Sequence, residues 1–169
     1  MLINILSFRK TSVLVILLLF VPVFLNAQVT PAAEIEILLN TNAVTYAQAA
    51  RFVLEAAEVL AVDDPQAAFA YALQNGWLPK SVTADSPAQL NHISLLLMRS
   101  FGLKGGLMFS AFNNSRYAYR DLVYMNVIIG RVDATMPVTG ERLIFYVTRL
   151  LNRPDVSIVL EARSLAGEN

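Results

Sequence analysis

The sequence predicts an all-α fold, and three observations carry that prediction. Ser, Thr or Asp residues recur just ahead of apolar segments, several with proline beside them, as helix N-termini require. Glycine or asparagine, which tolerate the left-handed conformation that ends helices, follow those segments. The apolar residues between fall three and four apart. This punctuation gives a compact array of five to six short helices joined by loops rich in Gly, Pro, Asn and Asp.

Taken in order, Thr30-Pro31 reads as a cap with proline in the first helical position, and Ile35, Leu38 and Leu39 share a face of the helix that follows. A strand is the competing assignment, because Ile35, Ile37 and Leu39 alternate. Thr45 and Gln48 form a capping-box pattern behind Val44, and the alanine-rich stretch continues as helix to about Leu60. Its expected buried stripe is Phe52, Val53, Ala56, Val59 and Leu60. Asp64-Pro65 opens a helix that ends at Asn75-Gly76, after which Trp77-Leu78-Pro79 leave in extended form. Ser86-Pro87-Ala88-Gln89 combines capping box and proline ahead of Leu90, Ile93, Leu96, Leu97 and Phe101, with Gly102 as the stop. Ser115 caps a helix to about Met125, stopped at Asn126. Thr139 caps another that carries Leu143, Ile144, Val147, Leu150 and Leu151 and ends before Pro154. The apolar, partly β-branched run Val156–Leu160 predicts a short C-terminal strand.

Three regions follow from this reading. Residues 1–27 form a secretory signal: Arg9 and Lys10 precede an apolar stretch from Val13 to Leu25, then Asn26-Ala27-Gln28 supplies a small-residue cleavage site. Residues 28–153 are the helical domain, and 154–169 the strand and tail. The signal's apolar stretch would span only about 20 Å as a helix, short of a hydrocarbon layer of roughly 30 Å. The 169-residue chain has 13 Lys plus Arg and 13 Asp plus Glu, which argues against a nucleic-acid binder. It has no cysteine, which excludes disulfides, thiolate nucleophiles and cysteine-ligated zinc.

Sliding the chain by 50 positions sets Ala68 on Ala118, Val82 on Val132, Ala84 on Ala134, Pro87 on Pro137 and Arg99 on Arg149. The unit so defined is a short helix, a left-handed stop, an extended apolar exit, a proline and a longer helix. Asn126-Val127-Ile128-Ile129-Gly130, Met136-Pro137 and Val138-Thr139-Gly140-Glu141-Arg142 follow one another in that unit. Gly76-Trp77-Leu78-Pro79 and Val44-Thr45-Tyr46-Ala47-Gln48 are looser copies. This order resembles the S-layer homology module over roughly residues 44–152. The resemblance implies helix-loop-helix repeats, assembly in threes and binding of envelope glycopolymers through the arginine of a Thr-Arg-Ala-Glu motif. Tyr46 and Gly140 stand where that arginine would be, and the middle opening at Ala88-Gln89-Leu90 lacks the motif.

Candidate chemistry is sparse. His92, the single histidine, reads as a helix-surface residue, since no spacing supplies it with metal-ligating partners. Asp64 of Asp63-Asp64 reads as the cap of the Pro65 helix. Gly102-Leu103-Lys104-Gly105-Gly106 lacks the Lys-Ser/Thr ending of a phosphate loop and reads as a flexible turn. Asn113-Asn114-Ser115 is a glycosylation sequon. The candidate ligand-binding surface is Arg116, Tyr117, Tyr119, Arg120 and Tyr124, because sugar rings and carboxylates call for aromatic faces and arginine forks. The rival assignment places these tyrosines at the core edge and leaves the arginines solvated. Residues 28–98 carry two basic and seven acidic groups, residues 99–169 nine and six, so an acidic ligand would favour the C-terminal half.

The expectation is an exported, non-enzymatic, periplasmic or envelope-associated module without metal or cofactor. It holds peptidoglycan or another envelope polysaccharide, or it is an adaptor subunit of a periplasmic or outer-membrane protein assembly. In the adaptor reading Val156, Ile158 and Leu160 add as a strand to a partner's sheet edge.

Overall fold

A computed structural model describes residues 31–130 and 132–167. The signal segment 1–27 and the Thr30 cap lie outside the described residues. Among the described residues eight helices succeed one another: α1 (Pro31–Leu39), α2 (Tyr46–Ala56), α3 (Pro65–Gln74), α4 (Leu90–Ser100), α5 (Leu107–Phe112), α6 (Ser115–Tyr124), α7 (Gly140–Leu151) and α8 (Pro154–Gly167). β-structure there is confined to two isolated bridges, Thr45 with Pro87 and Gln89 with Pro137. The fold is thus mostly helical, with eight helices in place of the five or six expected.

Most of the local punctuation operates as the residues predict. Thr45 Oγ1 accepts from the Gln48 amide at 3.2 Å while Gln48 Oε1 accepts from the Thr45 amide at 3.0 Å, completing the capping box. Asp64 accepts from the amides of Gln66 and Ala67, and α3 ends with Gly76 at φ +68°. Thr139 caps α7 through the Arg142 amide, and Asn126 takes the left-handed stop after α6 at φ +57°. The cap of α6 is Asn114, whose Oδ1 accepts from the Tyr117 amide at 3.1 Å; Ser115 is already helical. α2 stops short of Leu60, because Glu58 adopts φ +52°. Its buried face is Ala49, Ala50, Val53, Leu54 and Ala57, whereas Phe52, Ala56, Val59 and Leu60 are only partly covered.

Ser86 does not cap α4. That helix begins at Leu90, behind Gln89, which makes no side-chain cap bond, and the Ser86 hydroxyl turns back to the Thr83 carbonyl at 2.8 Å. The reason is a demand from elsewhere in the chain. The Ala88 amide donates to Val44 O at 2.8 Å, the Val44 amide to Val138 O at 2.9 Å, and the Val138 amide to Ala88 O at 2.9 Å. These three bonds close a ring among three buried residues, each immediately before a cap residue of α2, α4 or α7. Ala88 can serve the ring only if it stays out of the helix.

The same arrangement supplies helix starts with acceptors, since the first amides of a helix have none within it. Tyr46 and Ala47 donate to Ser86 O and Ala84 O, and Leu90 and Asn91 to Met136 O and Ala134 O. Gly140 donates to Thr41 O at 2.9 Å. Around the ring α4 is buried on nearly all sides, by Leu90, Ile93, Leu95, Leu96, Leu97 and Met98, and it forms the centre of the core.

The segment expected as a C-terminal strand belongs to α8, and residues 154–167 form no separate strand and tail. Proline at the first helical position and acceptance of the Ser157 amide by Arg153 O start the helix. Packing then overrides the β-branched composition. Val156 is fully buried, Leu160 packs half-buried on the core, and Val159 Cγ1 lies 3.4 Å from where a Cβ at Gly102 would stand. Arg163, next on that face, donates to Ala57 O and Ser100 O, satisfying carbonyls at the ends of α2 and α4.

Among the described glycines Gly140 is the most tightly enclosed. A Cβ there would stand 1.6 Å from the Leu38 carbonyl oxygen and 2.5 Å from its carbon. Elsewhere in a helix, Gly→Ala adds about 1 kcal/mol of propensity. Here Gly140→Ala is expected to lower the unfolding free energy by about 1–3 kcal/mol through overpacking, read by urea denaturation. Unchanged or increased stability would show that α1 does not press on this site.

Candidate functional site

The Arg116–Tyr124 surface is carried on α6, which Ala118 and Leu122 anchor to the core. Helical spacing from those anchors decides where the other side chains go. Tyr119, Arg120, Val123 and Tyr124 line an open cleft of ≈ 710 Å³, closed on the other side by Gly130, Val132 and Asp133 of the exit segment. The Tyr119 hydroxyl donates to Val132 O and so ties that segment to the helix. Tyr124 is 87% exposed, with its ring free to offer a face. Arg120 makes no ion pair with another described residue.

Two of the five expected residues lie elsewhere. Tyr117 stacks on Phe112, ring centroids 5.7 Å apart and planes at 29°, and Arg116 is exposed but does not line the cleft. Asp133 was missed by sequence reasoning. Its Oδ1 accepts from both the amide and the hydroxyl of Thr135, each at 2.9 Å. Those two bonds hold its carboxyl below the usual carboxylate range, so the cleft keeps a fixed anion on the wall formed by the exit segment. The Asp-x-Thr spacing is the signal that points to this turn.

A second groove, ≈ 550 Å³, is lined by Tyr46, Thr83, Ser86, Gln89, His92 and Thr135 among others. His92 is not a plain surface residue. The Tyr46 oxygen lies 2.6 Å from His92 Nδ1 and also accepts from the Gln89 amide at 3.2 Å. The tautomer of the imidazole sets which of the hydroxyl and Nδ1 donates in their bond. Burial pushes the Tyr46 hydroxyl above its ordinary value and the imidazole below its own. Hydroxyl, amide and imidazole groups therefore face this groove without a formal charge.

The residues expected to join a partner's sheet do not form an edge. Val156 is buried in α8, Leu160 is half-buried, and Ile158, 66% exposed, lies on the outer face of the helix. The Gly102–Gly106 turn is more ordered than its composition implies, because the Gly106 amide donates to Asp121 Oδ2 at 2.8 Å. Among the described residues no three His, Asp or Glu side chains converge to hold a metal ion. No helix among them is long and apolar enough to cross a membrane.

No protein-family model, curated protein or solved structure matches the chain.

Removing the hydroxyl in Tyr46→Phe leaves the Gln89 amide and His92 Nδ1 without their partner and is expected to cost about 1 kcal/mol of stability in denaturant titration. Because the folded imidazole binds its proton less readily than the unfolded one, its contribution is intact above the ordinary value of 6.5. That contribution is lost as pH falls through the ordinary value toward the folded one. Wild-type stability should thus decline as the pH falls below 6.5, and His92→Asn should flatten the decline. Parallel curves would exclude His92 as the titrating group.

Proposed function

We propose that this protein is an exported, non-enzymatic envelope module, built from three helix-loop-helix units resembling S-layer homology modules, that holds an envelope polysaccharide. The hydrogen-bond ring of Val44, Ala88 and Val138 supports the threefold reading, since each residue directly precedes the cap of α2, α4 or α7, one helix to each unit. The two units related by 50 positions also share their order: α3, the Gly76 stop and α4 in one, α6, the Asn126 stop and α7 in the other.

The observation that carries the ligand class is the cleft of Tyr124, Arg120 and Asp133. An exposed aromatic ring stacks on the C–H face of a sugar, a free guanidinium pairs with a carboxylate or phosphate on the polymer, and an anchored carboxylate accepts from hydroxyls. The motif arginine of the resembling family is not needed for such contacts. At Gly140 its side chain would collide with the Leu38 carbonyl, and at position 46 a tyrosine, nearly buried, bonds His92. The Asp133 carboxylate of the one surface and the His92 imidazole of the other are engaged in holding structure, by Thr135 and by Tyr46, which suits binding better than proton transfer.

Co-sedimentation with purified, lipid-free sacculi tests the reading. Wild-type protein is expected to pellet, and Arg120→Ala/Tyr124→Ala to lose about tenfold or more in affinity. Arg116→Ala, outside the cleft, should retain binding. Failure of the wild type to pellet, or equal loss in Arg116→Ala, would refute the assignment.

A further inference from the structure

The connection between α4 and α6 turns three large apolar side chains outward. Phe101 to Arg120 contains Lys104, Arg116 and Arg120 and no carboxylate. Within it α5 buries Phe109 alone, while Leu107 is 91% exposed, Met108 56% and Phe112 62%. Three large apolar side chains on one six-residue helix oppose the hydrophobic effect, which would fold them inward if the segment were free to turn.

The segment is fixed with that side out. The Arg99 guanidinium lies 5.4 Å from the Phe109 ring centroid, and the Gly106 amide is bonded to Asp121. A Cβ at Gly105 would stand 2.4 Å from Phe109 Cδ1 and 2.6 Å from Asp121 Oδ2, so glycine is what lets the turn close on its anchor. Asn113, left-handed at φ +44°, ends the helix, and Phe112 rests against Tyr117. The nearest carboxylate in sequence, Asp121, is occupied by this anchoring. Lys104 and Arg116, on either side of α5, are both exposed.

We infer that α5, with Lys104 and Arg116, is a membrane-contact element that sets Leu107, Met108 and Phe112 into the interfacial layer of an anionic phospholipid bilayer. An apolar protein groove would account for the three tips alone. A headgroup layer accounts also for the flanking cations and for the lack of a carboxylate in the stretch from Phe101 to Arg120, since it presents acyl chains and phosphates at one boundary. The contact is peripheral, and it is independent of the polysaccharide cleft, to which none of Leu107, Met108 and Phe112 contributes.

The test uses the chain from Gln28 onward, which holds the whole compact unit Ala32–Asn169 and lacks the apolar stretch of residues 13–25. It is sedimented with vesicles of equal parts phosphatidylethanolamine and phosphatidylglycerol, and with phosphatidylcholine vesicles. Binding is expected to the anionic vesicles, weaker to the neutral ones, and reduced by salt. Leu107→Ser/Phe112→Ser should weaken it about tenfold or more at unchanged thermal unfolding, whereas Ile158→Ser, a change on α8 at a site about as exposed as Phe112, should not. No binding by the wild type, or equal binding by the double variant, would overturn the inference. So would concentration-dependent self-association that the double variant abolishes, because it would make α5 a contact between copies of this chain.

Discussion

Three backbone hydrogen bonds, from Ala88 to Val44, from Val44 to Val138 and from Val138 to Ala88, are the constraint on which the rest of this fold rests. Buried peptide groups must find partners, and at these three positions the partners are one another. Each residue is almost wholly buried, so no water can substitute. Because each ring member stands directly before the cap of a long helix, the ring fixes where α2, α4 and α7 begin and brings their first turns together.

From that arrangement two further features follow. The first-turn amides of α2 and α4, which a helix cannot satisfy internally, reach carbonyls in the connection ahead of the next long helix, so Gln89 can open α4 without a side-chain cap. α7 draws instead on the end of α1: Gly140 donates to Thr41 O, and the Leu38 carbonyl occupies the space a side chain at 140 would need. At the opposite ends, Arg163 of α8 donates to the Ala57 and Ser100 carbonyls, a charged donor that satisfies two helix termini at once. α2 and α4 are thereby fastened at both ends, and the surfaces between the helices are left to differ.

Those surfaces were legible in part. The helix carrying Arg116 to Tyr124 follows from its cap, stop and spacing, and Tyr119, Arg120 and Tyr124 do line one cleft. Tyr117 is drawn away by Phe112 of α5, a helix that the glycine-rich turn before it concealed, because Gly105 and Gly106 owe their order to Asp121, fifteen residues beyond Gly106. His92 could not be read at all from its own helix. Its partner, Tyr46, is 46 residues away, and no local pattern couples the two.

What the sequence determined alone was the helical class and most of the punctuation: the capping box at Thr45, the Asp64-Pro65 start, the stops at Gly76 and Asn126. These rest on side-chain bonds to nearby amides and on single-residue backbone preferences, forces that act within about one helical turn. Tertiary structure decided whatever had two locally acceptable answers. Ser86-Pro87 could cap a helix, but the ring holds Ala88 extended; Val156–Leu160 could be a strand, but a buried face for Val156 and two carbonyls for Arg163 make it helix. In each case a partner distant in sequence outweighed a propensity of a fraction of a kcal/mol to about 1 kcal/mol per residue.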